Sequence, residues 1–411
     1  MKPSITARRY GYRTILLASV LGISLPTQAA RPPLVIMGDS IAEGVQAADA
    51  AYQTQIHTFG NWLAHQMGHE LIIPRIATSP LGVVNDTHFR RRIDPRAIGT
   101  NVGSAGADVG DVLNRAATAV NPRQIRTEAD LIMYPRRQTQ LGYVESALPT
   151  WVVCWIGSND ALGTVMDYSS LDASQLTPLD KFQRNYQELA SRLGNLVEKE
   201  GTRVVFLNIP DVTRIGFLLN RGQVEQFLGH PLGAELLPDG HYTTLAAAIL
   251  MALAGNTDLL QDPEFVLDAL EVATISQRIQ DYNAIIAAEA AGIGMPVVDI
   301  NAWLNGQITS PTTFYGIPLG TGPLRGIFSL DTVHPSNITH ALIANEIIKV
   351  MNDAFGTGYP EIDQQVLNLV FLLDPGIDKD DDGRVRGRPG VGLLESLALL
   401  AGITGDPSDK P

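Results

Sequence analysis

One cysteine, Cys154, occurs in 411 residues, so an internal disulfide is excluded. It lies inside the apolar run "WVVCWI" and reads as a small buried hydrophobe. Stability must then come from packing, for which the length is ample. Positive charge is also scarce: 30 Lys and Arg face 43 Asp and Glu, a formal charge of −13. Nucleic acid and anionic membrane surfaces would both repel so acidic a chain, and neither is expected as a partner. Long apolar runs are missing too. The stretches from Thr14 to Leu25 and "LAAAILMALAG" at 245–255 are both too short to span a bilayer. Absent motifs narrow the chemistry further. There is no G-x-S-x-G elbow, no G-x-x-x-x-G-K loop and no H-E-x-x-H pair, which argues against an α/β-hydrolase site, a phosphate-cradling loop and a zinc helix. His65 and His69 are four apart, but with Gly68 between them they read as a surface helix end.

The first thirty residues read as an export signal. Lys2, Arg8, Arg9 and Arg13 precede the apolar run, and small residues at Thr27, Ala29 and Ala30 close it. Removing residues 1–30 takes away those four positive charges and no negative one, so the formal charge goes from −13 to −17. The expected location is exported, periplasmic or extracellular.

Beyond the leader, short apolar runs alternate with helical patterns, which favours a parallel α/β sheet. The expected strands are 33–37, 70–76, the approach to 100–103, 151–156, 203–209 and 296–300, with amphipathic helices at about 181–199, 272–291 and 340–355. The segment of about 210–271 exceeds what simple alternation needs and is expected to form a cap-like insertion. The expected organisation is a leader over 1–30, a main α/β domain over 31–356 and a Gly/Pro/Asp-rich extension over 357–411. Within that extension "DKDDDG" places Asp378, Asp380 and Asp382 at the first, third and fifth positions of a calcium loop. The twelfth position is Pro389 rather than Glu, so a solvated acidic turn competes with a calcium site.

Three strand ends carry unusual residues: Gly38-Asp39-Ser40, the Gly-rich "TNVGSAGADVG" at 100–110, and Gly157-Ser158-Asn159-Asp160. Ligands bind at the carboxyl ends of strands in an open parallel sheet, so these turns should share one edge. Ser40 alone could be a helix cap. A serine nucleophile needs a base and something to fix the imidazole tautomer. Asp331 and His334, three apart in one loop turn before the last amphipathic helix, can supply both. The Ser40 N–H at a helix start and the Asn159 amide are candidate donors to an oxyanion.

Taken together, "GDSIAEG" with Ser40, "NVGSAGA" with Gly106, "GSND" with Asn159 and "DTVHP" with His334 resemble the GDSL, or SGNH, hydrolase family. The stretches 60–68, 271–292 and 297–304 resemble matching segments of its bacterial members. The resemblance covers about residues 33–355. It implies a flavodoxin-like three-layer α/β/α fold with a central parallel sheet, the SGNH hydrolase fold. It also implies Ser40 as nucleophile, His334 as base, Asp331 as its orienting partner, and Ser40 N–H, Gly106 N–H and Asn159 as the oxyanion hole. Ile41 stands where the family usually has Leu, and Gly103 competes with Gly106 for its role.

The expected function is a secreted serine esterase or lipase that passes through an acyl-enzyme. No cofactor is required, Ca²⁺ in the extension being the one ion considered. The apolar insertion tilts the expected ester substrate towards lipid-like acyl chains. The alternatives are a polysaccharide O-deacetylase or acyltransferase on the same site, or a non-catalytic secreted binding protein. The sequence carries no signal that sets the oligomeric state.

Overall fold

The computed structural model describes residues 31–47, 49–77, 91–166, 171–380 and 385. The leader therefore lies outside the described residues, as does Asp382. The strands that matter below, in chain order, are β1 (Leu34–Gly38), β2 (Trp151–Trp155), β3 (Arg203–Leu207), β4 (Leu218–Leu219), β5 (Tyr242–Thr244), β6 (Val266–Leu267) and β7 (Val297–Val298). The helices that matter below are α1 (Ser40–Glu43), α2 (Phe59–Gln66), α3 (Val109–Asn114), α4 (Asn159–Met166), α5 (Leu179–Glu200), α6 (Arg221–Leu228), α7 (Leu245–Ala254), α8 (Ala269–Gly292), α9 (Asn337–Phe355) and α10 (Gln364–Leu373).

The main sheet is parallel, in the order β1-β2-β3-β7. Every residue of β1 and β2 is buried, as expected of strands covered on both faces, and this explains their unbroken Val, Ile and Trp runs. On the free edge of β1, the Ile36 N–H donates to Thr100 O at 3.0 Å and the Val102 N–H to Ile36 O at 2.8 Å. Residues 100–102 thus form a rudimentary strand outside β1. Counting it, the order becomes 2-1-3-4-5, the doubly wound flavodoxin-like pattern, whose switch point lies at the end of β1.

Two expected strands did not form full ladders. The 100–103 approach contributes one parallel bridge, Ile36 to Asn101. Residues 70–76 run beside it, with the Thr100 N–H on Ile72 O at 2.7 Å, but their one bridge pairs Ile76 with Arg92. Pro74 has no N–H to give a ladder, which accounts for the interruption.

Helices surround the sheet in two sets, α2 against α9 and α5 against α3 and α8. In α5 the buried positions Phe182, Tyr186, Leu189, Leu193 and Leu196 recur at helical spacing, so one stripe enters the core. Gly201 ends the helix in the left-handed conformation. Cys154 is free and buried, as read from its apolar run.

Between β3 and α8 the extra segment builds a three-stranded antiparallel sheet, β4-β5-β6, with α6 and α7 beside it. The apolar α7 buries Leu245, Ala246, Ala247, Ala248, Ile249 and Met251. Residues after 356 also pack on this body. The Ile362 N–H donates to Asn345 Oδ1 at 2.7 Å, and Phe371 of α10 stacks on Phe314 at 5.0 Å. Among the described residues no helix is long and apolar enough to cross a membrane.

Candidate active site

The end of β1 settles what Ser40 does locally. Asp39 is the N-cap of α1, its Oδ1 accepting the Ile41 N–H at 2.9 Å. Ser40 is the first helical residue, so its hydroxyl is not consumed as a cap. Instead Ser40 Oγ lies 2.9 Å from His334 Nε2. On the other side of the imidazole, His334 Nδ1 lies 2.8 Å from Asp331 Oδ2. Asp331 is itself held: its Oδ1 accepts the Val333 N–H at 3.0 Å, the His334 N–H at 2.9 Å and the Ser329 hydroxyl at 3.0 Å. Thr332, between them, takes φ of +61°, which folds the turn tightly enough for the carboxylate to face its own neighbour's ring. The cap of the following helix α9 is Ser336, accepting the Thr339 N–H, so His334 is free of that task too.

Charge completes the arrangement. Burial alone would lower the His334 pKa, but the charge and hydrogen bond of Asp331, with Asp39 and Glu43 behind it, outweigh burial and raise it above the ordinary 6.5. Burial pushes Asp39 up to about 6, against the Ile41 N–H and the His334 charge. Asp160 is pushed up to about 7, again by burial first and by Asp108 next.

Space distinguishes the two glycines. A Cβ on Gly103 would sit 2.5 Å from Ala42 Cβ and 2.8 Å from Glu43 N, so that glycine is needed for the loop to pack on α1. Gly106 has φ of +73° and nothing within 4 Å of its would-be Cβ. It is exposed, where a backbone N–H can meet a ligand. Asn159 opens α4 and donates one amide hydrogen to Ala107 O at 2.9 Å, leaving its second for another acceptor. All three turns therefore meet at the strand ends. Ser40, His334 and Asn159 line one small pocket of about 30 Å³, with Leu162, Val212 and Ile215 as its apolar wall.

The remaining expected positions do not join this cluster. Asp378 is buried, its N–H on Leu324 O at 3.0 Å, whereas Asp380 is exposed. No group of three or more His, Cys, Asp or Glu among the described residues could hold a metal ion. His65 lies in the last turn of α2, which Gly68 with φ of +73° follows. The sequence reading missed Asp39 as the cap and the buried Glu43 and Asp160. Carboxylates inside glycine-flanked strand-end motifs were the available signal.

Such an arrangement can move a proton from a hydroxyl to an imidazole while a carboxylate steadies the imidazolium. The GDSL-like lipase/acylhydrolase family model matches residues 34–347. Solved structures with similar chain paths include an acetylxylan esterase from Geobacillus stearothermophilus, with 14% identity, a TM-score of 0.38 and coverage of 80% of this chain and 96% of that one. An extracellular lipase from Streptomyces rimosus gives 14%, 0.37, 79% and 99%, and a phospholipase A1 from Streptomyces albidoflavus NA297 gives 15%, 0.35, 79% and 100%. No curated protein matches significantly. With the family match running from β1 into α9, the chain belongs to the GDSL-like lipase/acylhydrolase family.

Proposed function

We propose that this carboxylic ester hydrolase is exported and works through Ser40 as nucleophile, His334 as general base and Asp331 as its orienting carboxylate. The observation that carries the reading is the unbroken chain from Asp331 Oδ2 through the His334 ring to Ser40 Oγ, at 2.8 and 2.9 Å. As Oγ attacks the ester carbonyl, His334 takes its proton and the carbonyl electrons become an oxyanion. The Ser40 and Gly106 N–H groups and the Asn159 amide are the proposed donors to that charge. Collapse breaks the acyl C–O bond, and His334 returns the proton to the leaving alkoxide. A water then gives its proton to His334, attacks the acyl-enzyme and releases the acid, with the proton passing back to Ser40.

The acyl group is proposed to be short. The pocket beside Ser40 is small, and Leu162, Val212 and Ile215 form its apolar wall, which supports a short acyl group. The apolar α7, the basis for expecting lipid-like chains, turns most of its side chains inward. A polysaccharide O-deacetylase is the second reading that this pocket favours.

The test is hydrolysis of p-nitrophenyl esters from acetate to palmitate, wild type beside Ser40→Ala. Loss of turnover in the variant supports the nucleophile, and a preference for acetate or butyrate supports the short acyl group. Full activity in Ser40→Ala would overturn the mechanism, and a preference for palmitate would overturn the acyl-length reading.

A further inference from the structure

The turn that carries Gly106 is hydrogen-bonded to both of the other motif turns. From the α4 side, Asn159 donates to Ala107 O at 2.9 Å and Asp160 Oδ2 accepts the Val109 N–H at 3.1 Å. From the β1 side, the Ser104 N–H donates to Gly38 O at 3.1 Å, and Asn101 Nδ2 donates to Ala42 O at 2.7 Å. Closest to the glycine on that side, Glu43 Oε2 accepts the Ala105 N–H at 2.6 Å.

Glu43 is the last residue of α1 and only 1% exposed. It stands three residues after Ser40, and positions three apart lie on one side of a helical turn. One turn of helix thus presents the proposed nucleophile and, beside it, a carboxylate that reaches into the neighbouring loop. Ala105 is the residue between that carboxylate and the Gly106 amide. A charge-assisted hydrogen bond from a buried carboxylate is a short, strong tether for a backbone group. On the side where Gly106 would carry a Cβ nothing lies within 4 Å of that position, so that side of the turn lends it no support.

We propose that Glu43 is a positioning residue: by holding the Ser104–Ala105 peptide, the one just before the Gly106 amide, it keeps the Gly106 N–H in place beside Ser40 before the oxyanion forms. The inference rests on the assignment of Ser40 and Gly106 made above. A donor held in advance acts in the transition state rather than on the bound ester, so its displacement lowers kcat and leaves KM nearly unchanged.

Two substitutions separate reach from charge. Glu43→Gln keeps an oxygen at the same reach and removes the charge. Glu43→Asp keeps the charge and withdraws the oxygen by about 1.5 Å, one carbon–carbon bond. With p-nitrophenyl acetate and the full chain, Glu43→Gln is expected to stay within about threefold of wild-type kcat. Glu43→Asp is expected to lose about tenfold or more in kcat with KM within about twofold, part of the 10²–10³ that losing a whole donor costs. Thermal melting of both variants accompanies the kinetics. The reverse order, with Glu43→Asp active and Glu43→Gln impaired, would overturn the proposal and assign Glu43 an effect of charge on His334. Wild-type kinetics in Glu43→Asp, or equal loss in kcat and affinity in both variants, would overturn it as well. Ser40→Ala measured alongside separates the two levels. If that variant turns over ester, the site assignment itself fails; if it is inactive while Glu43→Asp keeps wild-type kinetics, only the role of Glu43 fails.

Discussion

His334 and His340 stand six residues apart, one before α9 and one inside it, and their surroundings drive them in opposite directions. Burial disfavours the charged ring at both. At His334 the carboxylates of Asp331, Asp39 and Glu43 overcome it and the pKa rises. At His340 nothing does: burial, with the charges of His334 and His57 adding to it, brings the pKa down to about 3. Its Nδ1 accepts the Phe59 N–H at 3.3 Å, and its Nε2 has no partner among the described residues. The first ring is placed to gain and lose a proton; the second serves as a neutral acceptor at the start of α2. What separates a proposed base from a structural histidine here is the carboxylate partner and not the depth of burial.

The largest effect should come from removing that partner. Asp331→Asn leaves His334 as buried as before but without its principal counter-charge, and substitution of such a carboxylate typically costs on the order of 10⁴ in turnover. The sign of the pH effect follows from the base having to be neutral before it can accept the serine proton. A pKa raised above 6.5 places the acid limb of kcat/KM above that value in wild type. Losing Asp331 should move the limb to lower pH, towards the behaviour of His340. A pH–rate profile of the residual activity checks this, and an unmoved limb would remove Asp331 from its proposed role.

The opposite manipulation acts on stability. The folded pKa of His340 is about 3 against an ordinary 6.5, so between those values the unfolded chain binds a proton that the folded chain refuses. Stability contributed by this ring is therefore present above pH 6.5 and is lost as pH falls towards about 3. The whole span amounts to at most about 5 kcal/mol. His340→Asn keeps an oxygen near the Nδ1 position for the Phe59 N–H and has nothing to titrate. Urea unfolding from pH 4 to 8 should show a flatter profile for the variant, offset by a lower plateau from the space it leaves.

How much of this was legible from the chain depends on whether the signal was local. The unbroken runs of β1 and β2 announced two-sided burial, "GDSIAEG" and "GSND" announced turns at strand ends, and "DTVHP" announced a loop turn before a helix, because local spacing decides all three. Gly103 and Gly106 could not be told apart in that way. Their difference lies in what faces each, Ala42 in one case and open space in the other, and that is set by a helix sixty residues upstream. The interruption at Pro74 was readable in hindsight, since Ile72, Ile73 and Ile76 outweighed it in a hydrophobic count while the missing N–H decided the pairing. The grip of Glu43 on Ala105 joins residues 62 apart and leaves no periodic trace. Nor did the Gly- and Pro-rich texture after 356 reveal that Asn345 and Phe314 would hold residues 362 and 371 against the body.

Asp39 tests the comparison most finely, because it caps α1 and adds to the charge that lifts His334. Its Oδ1 is used by the Ile41 N–H while its Oδ2 is buried without a partner among the described residues. Burial raises its pKa from 3.8 to about 6. A carboxylate raised in the folded state favours folding below pH 3.8, and that contribution is lost as pH climbs through about 6, a difference of up to about 3 kcal/mol. Asp39→Asn preserves an acceptor for the Ile41 N–H and carries no buried charge. The variant should consequently gain stability above pH 6 and match wild type near pH 4. The same change should lower the acid limb of kcat/KM by less than Asp331→Asn does, since Asp39 ranks behind Asp331 among the groups that raise His334. Equal stability of variant and wild type at pH 8 would mean that burial does not raise the Asp39 pKa and that its ionised form costs the fold nothing.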